Sequence, residues 1–185
     1  MNEISIHYLN LVLGGGAILL QIFSVITILV LFFGPSKSKF LDYVEKHSII
    51  MSFLVSFLSS IFSLVYSEII GFPPCVQCWY QRVFLFPQVF ILGVALWERE
   101  KKVIKYAMPL LLSGFVVSIY QNFKYYFGET SSLPCDASGV SCYQHLISEY
   151  GGYISIPMLA LTGFFCIIVI LTVAHFYNKR NNATV

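Results

Sequence analysis

Two cysteine pairs carry the chemistry that this sequence can offer. Cys75 and Cys78 enclose Val76 and Gln77, and Cys135 and Cys142 enclose the six residues from Asp136 to Ser141. Pro73 and Pro74 precede the first pair and preset the start of a helix, which predicts Cys75 on its first turn and Cys78 one turn deeper. Both sulfurs then share one face. Unsatisfied N–H groups and the positive end of the helix dipole favour thiolate over thiol there, the condition for a readily exchanged disulfide. The second pair closes a small polar ring, and a short ring constrains the unfolded chain less than a long one. Judged from that pair alone, a structural bridge and a labile, accessible bond stand equal.

Arg82 follows Cys78 by four residues, about 6 Å further along the same helical face. An arginine just inside a bilayer is costly, so it requires an anionic or strongly polar partner, or else its head must reach the headgroups. The Cys78 thiolate and a quinone carbonyl oxygen both qualify as partners. Cys166 lies among Phe164, Phe165, Ile167 and Ile168 and reads as an inert small hydrophobe. Glu68 reads as an interfacial carboxylate. His7, His47, His145 and His175 show no ligand spacing, and Trp79 after the CxxC excludes the c-type haem signature. Two cysteine pairs are the raw material of a zinc site, yet no metal is expected here, because the location of the pairs favours disulfides.

That location follows from the elements that position them. The 185 residues are 57% hydrophobic and 11% charged, far from a soluble composition, and a net charge of +2 gives no case for nucleic acid. Apolar stretches at 9–33, 49–70, 79–97, 106–123 and 154–177 reach or approach the roughly 20 residues that cross a bilayer as a helix. The first lacks the charged n-region and cleavage site of a signal peptide and reads as a retained helix. Nine of the 11 Lys and Arg fall on one side of these spans: Lys37, Lys39, Lys46, Arg99, Lys101, Lys102, Lys105, Lys179 and Arg180. The positive-inside rule makes that side cytoplasmic, with the N-terminus, the CxxC turn and a loop at 124–153 outside and the C-terminus inside. Four of the five cysteines then lie at or beyond the outer surface. Ser52, Ser56 and Ser60, Ser59 and Ser63, and Gly14, Gly15 and Gly16 read as close-packing positions, and Pro87 as a kink. The expectation is a single all-α membrane domain.

CVQCWYQR at the start of an inward-running span, then one further span and an outer loop with a second cysteine pair, resembles the DsbB family of thiol:quinone oxidoreductases. The short Cys135–Cys142 ring and the WYQR continuation look like its BdbC branch. The resemblance covers about 49–177 and implies a four-helix bundle, so the 9–33 helix is one extra N-terminal transmembrane helix. It implies two redox disulfides, Cys75–Cys78 and Cys135–Cys142, in a bacterial cytoplasmic membrane. It also implies a secreted or periplasmic DsbA-like thioredoxin-fold partner and a membrane quinone, ubiquinone or menaquinone, bound near Arg82. Electrons then enter at Cys135 through a mixed disulfide, Cys142 attacks Cys75, and Cys78 becomes the donor to the quinone. A partner near −120 mV needs an acceptor of still higher effective potential. Where some family members carry a His before the cysteine loop, this chain has Tyr120, Gln121 and Asn122, so quinone contacts do not transfer at that point. A vitamin K epoxide reductase type is the alternative within redox chemistry, but it places its loop cysteines before the CxxC helix. A membrane scaffold with two structural disulfides is the non-enzymatic alternative.

Overall fold

The computed structural model describes residues 3–34, 38–98, 100–127 and 150–182. Cys135, Cys142 and their polar ring lie outside the described residues, as do Lys37, Arg99 and His145. Six helices follow in order: α1 (Glu3–Phe33), α2 (Lys39–Lys46), α3 (Ser48–Leu64), α4 (Val76–Glu98), α5 (Ile104–Phe127) and α6 (Ile156–Asn182). All except α2 are long and apolar enough to cross a membrane, and no strand occurs among the described residues. The protein is a polytopic helical bundle.

In lipid, helices associate through close packing and interhelical hydrogen bonds more than through hydrophobic transfer. The centre of the bundle follows that rule. Leu85 and Leu92 of α4, Leu111 of α5 and Phe164, Ile167 and Leu171 of α6 form one buried cluster. Gly114 admits the Phe164 ring, because a Cβ there would come within 2.4 Å of it. Asn122 of α5 donates to the carbonyls of Ser118 and of Pro157 on α6, both at 2.8 Å. The serine stripe of α3 is buried at Ser52, Ser56 and Ser60, and the Ser56 hydroxyl donates back to its own helix at Phe53.

α2 is a short surface helix that lays Leu41 and Val44 against Ile170, Val173 and Tyr177 of α6. Lys101 pairs with Glu45 of α2, so α2 and the α4–α5 turn lie at the same end of the bundle. At the opposite end, Tyr66 donates to Asn10 of α1 at 2.6 Å, and Tyr126 of α5 donates to the Tyr153 carbonyl at 2.6 Å. The start of α1, the CxxC turn, the end of α5 and the start of α6 therefore share one end.

The chain reaches the CxxC through a widened turn. After Leu64, α3 continues as a π-turn over Val65–Ile69, with Ile70 N–H donating to the Val65 carbonyl. Such turns insert an extra residue and re-aim side chains; here Tyr66 is turned inward. Gly71 reverses the chain at φ +86°, a conformation that strains other residues. Phe72 then stacks on Tyr66, and the two prolines lead to Cys75.

Candidate active site at the CxxC helix

α4 begins at Val76, so Cys75 occupies the position just before the first helical residue, with its carbonyl accepting the Trp79 N–H. This differs from the first-turn placement expected for Cys75. The proline pair keeps the chain extended up to the cap, and the backbone N–H groups of Cys78 and Gln77 act on the Cys75 thiol in the direction that favours its charged form. The dipole argument survives the shift, because those N–H groups are the unsatisfied donors of the first turn. Cys75 Sγ and Cys78 Sγ lie 3.0 Å apart in hydrogen-bond contact. That bond, and then burial, hold the Cys75 thiol above the usual cysteine value.

Arg82 is buried inside the bundle at 7% exposure. Its Nε donates to Ser63 Oγ at 3.0 Å and its Nη2 to the Ser63 carbonyl at 2.8 Å. The guanidinium also lies 5.1 Å from the centre of the Trp79 ring. No carboxylate pairs with it among the described residues, and the anionic partner expected from charge alone is replaced by the α3 serine. Nη1 has no hydrogen-bond partner among the described residues. Glu68 is exposed and accepts from Ser67, apart from the thiols.

Gln121 is the residue that sequence reasoning missed. Its Nε2 points at both sulfurs, 3.4 Å from Cys75 and 3.5 Å from Cys78, while its Oε1 accepts from Gln81 at 2.6 Å. Gln81 precedes Arg82 on α4, so α5 is tied to the CxxC helix by a buried polar chain. The signal in the sequence is the Tyr120-Gln121-Asn122 stretch, which stands where some family members carry a histidine. Neutral amides in a membrane helix carry no spacing rule that points to a sulfur.

An apolar cavity of about 770 Å³ opens beside this site. Cys75, Cys78, Arg82 and Gln121 line its polar end, and aliphatic and aromatic groups of α1, α3 and α6 line the remainder. Its size and its pattern of few polar groups in an apolar surround are those of small-molecule sites. Cys166 is fully buried and borders the cavity from α6, away from the CxxC pair.

The arrangement offers a dithiol for two-electron exchange, cationic and amide donors beside it, and a hydrophobic chamber behind. Comparison with known proteins agrees. The family model described as disulfide bond formation protein DsbB matches residues 45–174. A Bacillus anthracis protein named probable disulfide formation protein C 2 is 34% identical over 138 residues, 75% of this chain and 97% of its own length. The Bacillus subtilis disulfide bond formation protein C is 37% identical over 120 residues, 65% of this chain and 86% of that protein. A probable disulfide formation protein of Chlamydia muridarum is 36% identical over 131 residues, covering 70% and 93%. No solved structure matches the chain significantly.

Proposed function

The chain belongs to the DsbB family of membrane disulfide oxidoreductases, and from that premise we propose that it reoxidises a secreted DsbA-like dithiol protein and delivers the electrons to a membrane quinone. The observation that carries this reading is the juxtaposition of the Cys75–Cys78 pair with Arg82 and Gln121 at one end of an apolar cavity. The cavity fits a quinone by its donor set: Arg82 Nη1 has no partner among the described residues, and every polar group but a few lies at the sulfur end. A quinone, ubiquinone or menaquinone, supplies a two-electron, two-proton acceptor.

The chain's own residues do the rest. The partner's thiolate attacks Cys135, breaking the Cys135–Cys142 bond and releasing Cys142 as thiolate, and the partner's second thiol then closes its own disulfide as two electrons pass to the Cys135–Cys142 pair. Cys142 then attacks Cys75, breaking Cys75–Cys78 and leaving Cys78 as thiolate, and Cys135 completes the exchange. Gln121 donates to that sulfur and fixes its position against α5. Arg82, held to α3 by Ser63, adds a positive charge on the cavity side of Cys78. Serine hydroxyl and carbonyl contacts orient the guanidinium without neutralising it, so its charge stays available in a low-dielectric site.

The positions of the basic residues support an outside N-terminus and CxxC and a cytoplasmic C-terminus in the bacterial cytoplasmic membrane, since Lys39, Lys46, Lys101, Lys102 and Lys105 all belong to elements at the α2 end. A trapping experiment tests the entry step. The wild-type chain mixed with a reduced partner whose second cysteine is replaced by serine should accumulate a disulfide-linked adduct through Cys135, resolved on a non-reducing gel. Absence of the adduct, with the intact partner still oxidised by the wild-type chain, rejects Cys135 as the entry point.

A further inference from the structure

The family match begins at residue 45, so α1 and nearly all of α2 lie outside it. Yet α1 is built into the cavity. Leu13, Gly16, Ala17, Leu20 and Phe23 recur at helical spacing along about 15 Å of one face, and all of them line it. α1 packs along α6 and has no comparable packing against α3. The space between α1 and α3 is the cavity itself, and Val12 and Leu19 line it while also being exposed, which places its mouth toward the bilayer.

Four hydrogen bonds hold α1 at that distance. Gln21 donates to Thr162 of α6 at 2.8 Å and accepts from Tyr153 at 3.0 Å. Tyr150 donates to the Leu11 carbonyl at 2.9 Å, and Tyr66 to Asn10 at 2.6 Å. The glycines divide in the same way. A Cβ on Gly14 would stand 2.7 Å from the Tyr150 ring, as expected for close packing, whereas Gly16 lines the cavity and a Cβ there would meet nothing within 4 Å. Gly16 therefore leaves room for something other than protein.

We infer that α1 is a ligand-binding element: it forms the outer wall of a channel that takes the polyisoprenoid tail of the quinone whose ring lies by Cys78. The inference rests on the quinone reading above. The polar groups at the sulfur end suit a ring with carbonyls, and a chamber of about 770 Å³ extends well beyond what a ring alone fills. Away from the sulfurs, Val55 on α3 and Ala160 and Cys166 on α6 offer a tail mainly apolar surface. Without α1 this face of α6 and α3 opens directly to lipid, and the tail has no fixed path.

Gly16→Phe tests this, because Gly16 lines the cavity and a Cβ there meets no protein atom within 4 Å. The probes are a quinone with a long polyisoprenoid tail and the same ring without a tail, titrated onto the purified full chain while quenching of tryptophan fluorescence is followed. Gly16→Phe should weaken the tailed quinone by about tenfold, the usual consequence of overpacking a filled site. It should leave the tailless ring unchanged, and Ile22→Phe on the exposed face of α1 should alter neither. In the wild-type chain a photoactivatable group on the tail should label the 12–23 segment, a measurement independent of whether the variant folds. Equal binding of the tailed quinone by wild type and Gly16→Phe, or labelling that spares α1, overturns the inference and leaves the quinone reading intact. A wild-type chain that binds neither quinone overturns both.

Discussion

Removing the Arg82 guanidinium separates its two contributions, one to the bundle and one to the acceptor site. Arg82→Ala deletes two hydrogen bonds to Ser63, at 3.0 and 2.8 Å, from a residue only 7% exposed. The Ser63 hydroxyl can turn back to its own helix, as Ser113 does on α5 toward Pro109, so the stability cost should stay near 1–2 kcal/mol. The functional cost is larger. A charge-assisted hydrogen bond contributes about 1.5–3 kcal/mol, which corresponds to roughly 10- to 150-fold in an equilibrium or rate. Arg82 lies on the cavity side of Cys78, so the loss should appear as a raised KM for quinone. Formation of the mixed disulfide between Cys135 and the partner should continue at the wild-type rate. Steady-state quinone reduction at varied quinone, beside gel trapping of the partner adduct, reads both. Arg82→Lys sharpens the result: it keeps the charge and loses the planar donor fork, so partial rescue assigns the effect to charge and failure to rescue assigns it to geometry. Unchanged quinone kinetics in Arg82→Ala would refute the reasoning and move the acceptor site elsewhere in the bundle.

Single serine substitutions at Cys75, Cys78, Cys135 and Cys142 should each abolish quinone-dependent oxidation of a dithiol protein, whereas Cys166→Ser should keep it; full activity of Cys135→Ser or Cys142→Ser removes the relay. Gln121→Glu keeps the shape of the side chain but exchanges the donor to both sulfurs for a carboxylate, so quinone reduction should fall by about tenfold with the partner adduct unaffected. Loss of the adduct instead would mean that Gln121 acts on the outer loop. Reporter fusions after Phe33, Trp97 and Tyr177 in a cysteine-free variant should all report a cytoplasmic location, and an outside signal at any one of them breaks the topology.

Much of this architecture is legible in the sequence because lipid imposes few solutions: apolar length gives the helices, and the clustering of Lys and Arg gives a consistent end for each loop. The CxxC pair was equally visible, since proline-led spacing at a helix start has a direct physical meaning. What stayed hidden depended on side chains meeting across helices. Gln121 meets the sulfurs only because α5 packs against α4. Ser63 reads from its spacing as a packing position, whereas its hydroxyl and carbonyl hold Arg82. Gly16 read as one of three close-packing glycines, and only the separation of α1 from α3 distinguishes it from Gly14. The π-turn at Val65–Ile69 has no sequence pattern of its own, and it decides where Tyr66 and the CxxC turn sit. Family membership, in turn, sets aside the scaffold and vitamin K epoxide reductase alternatives that the cysteines alone left standing.

The most direct measurement mixes the purified full chain with a reduced thioredoxin-fold dithiol protein and a quinone, without oxygen, and follows quinone absorbance together with the partner's thiol content. Electron balance requires one quinone reduced for each dithiol converted to a disulfide, with no turnover in Cys78→Ser. Partner oxidation with unchanged quinone absorbance, or quinone loss that persists in Cys78→Ser, would contradict the account.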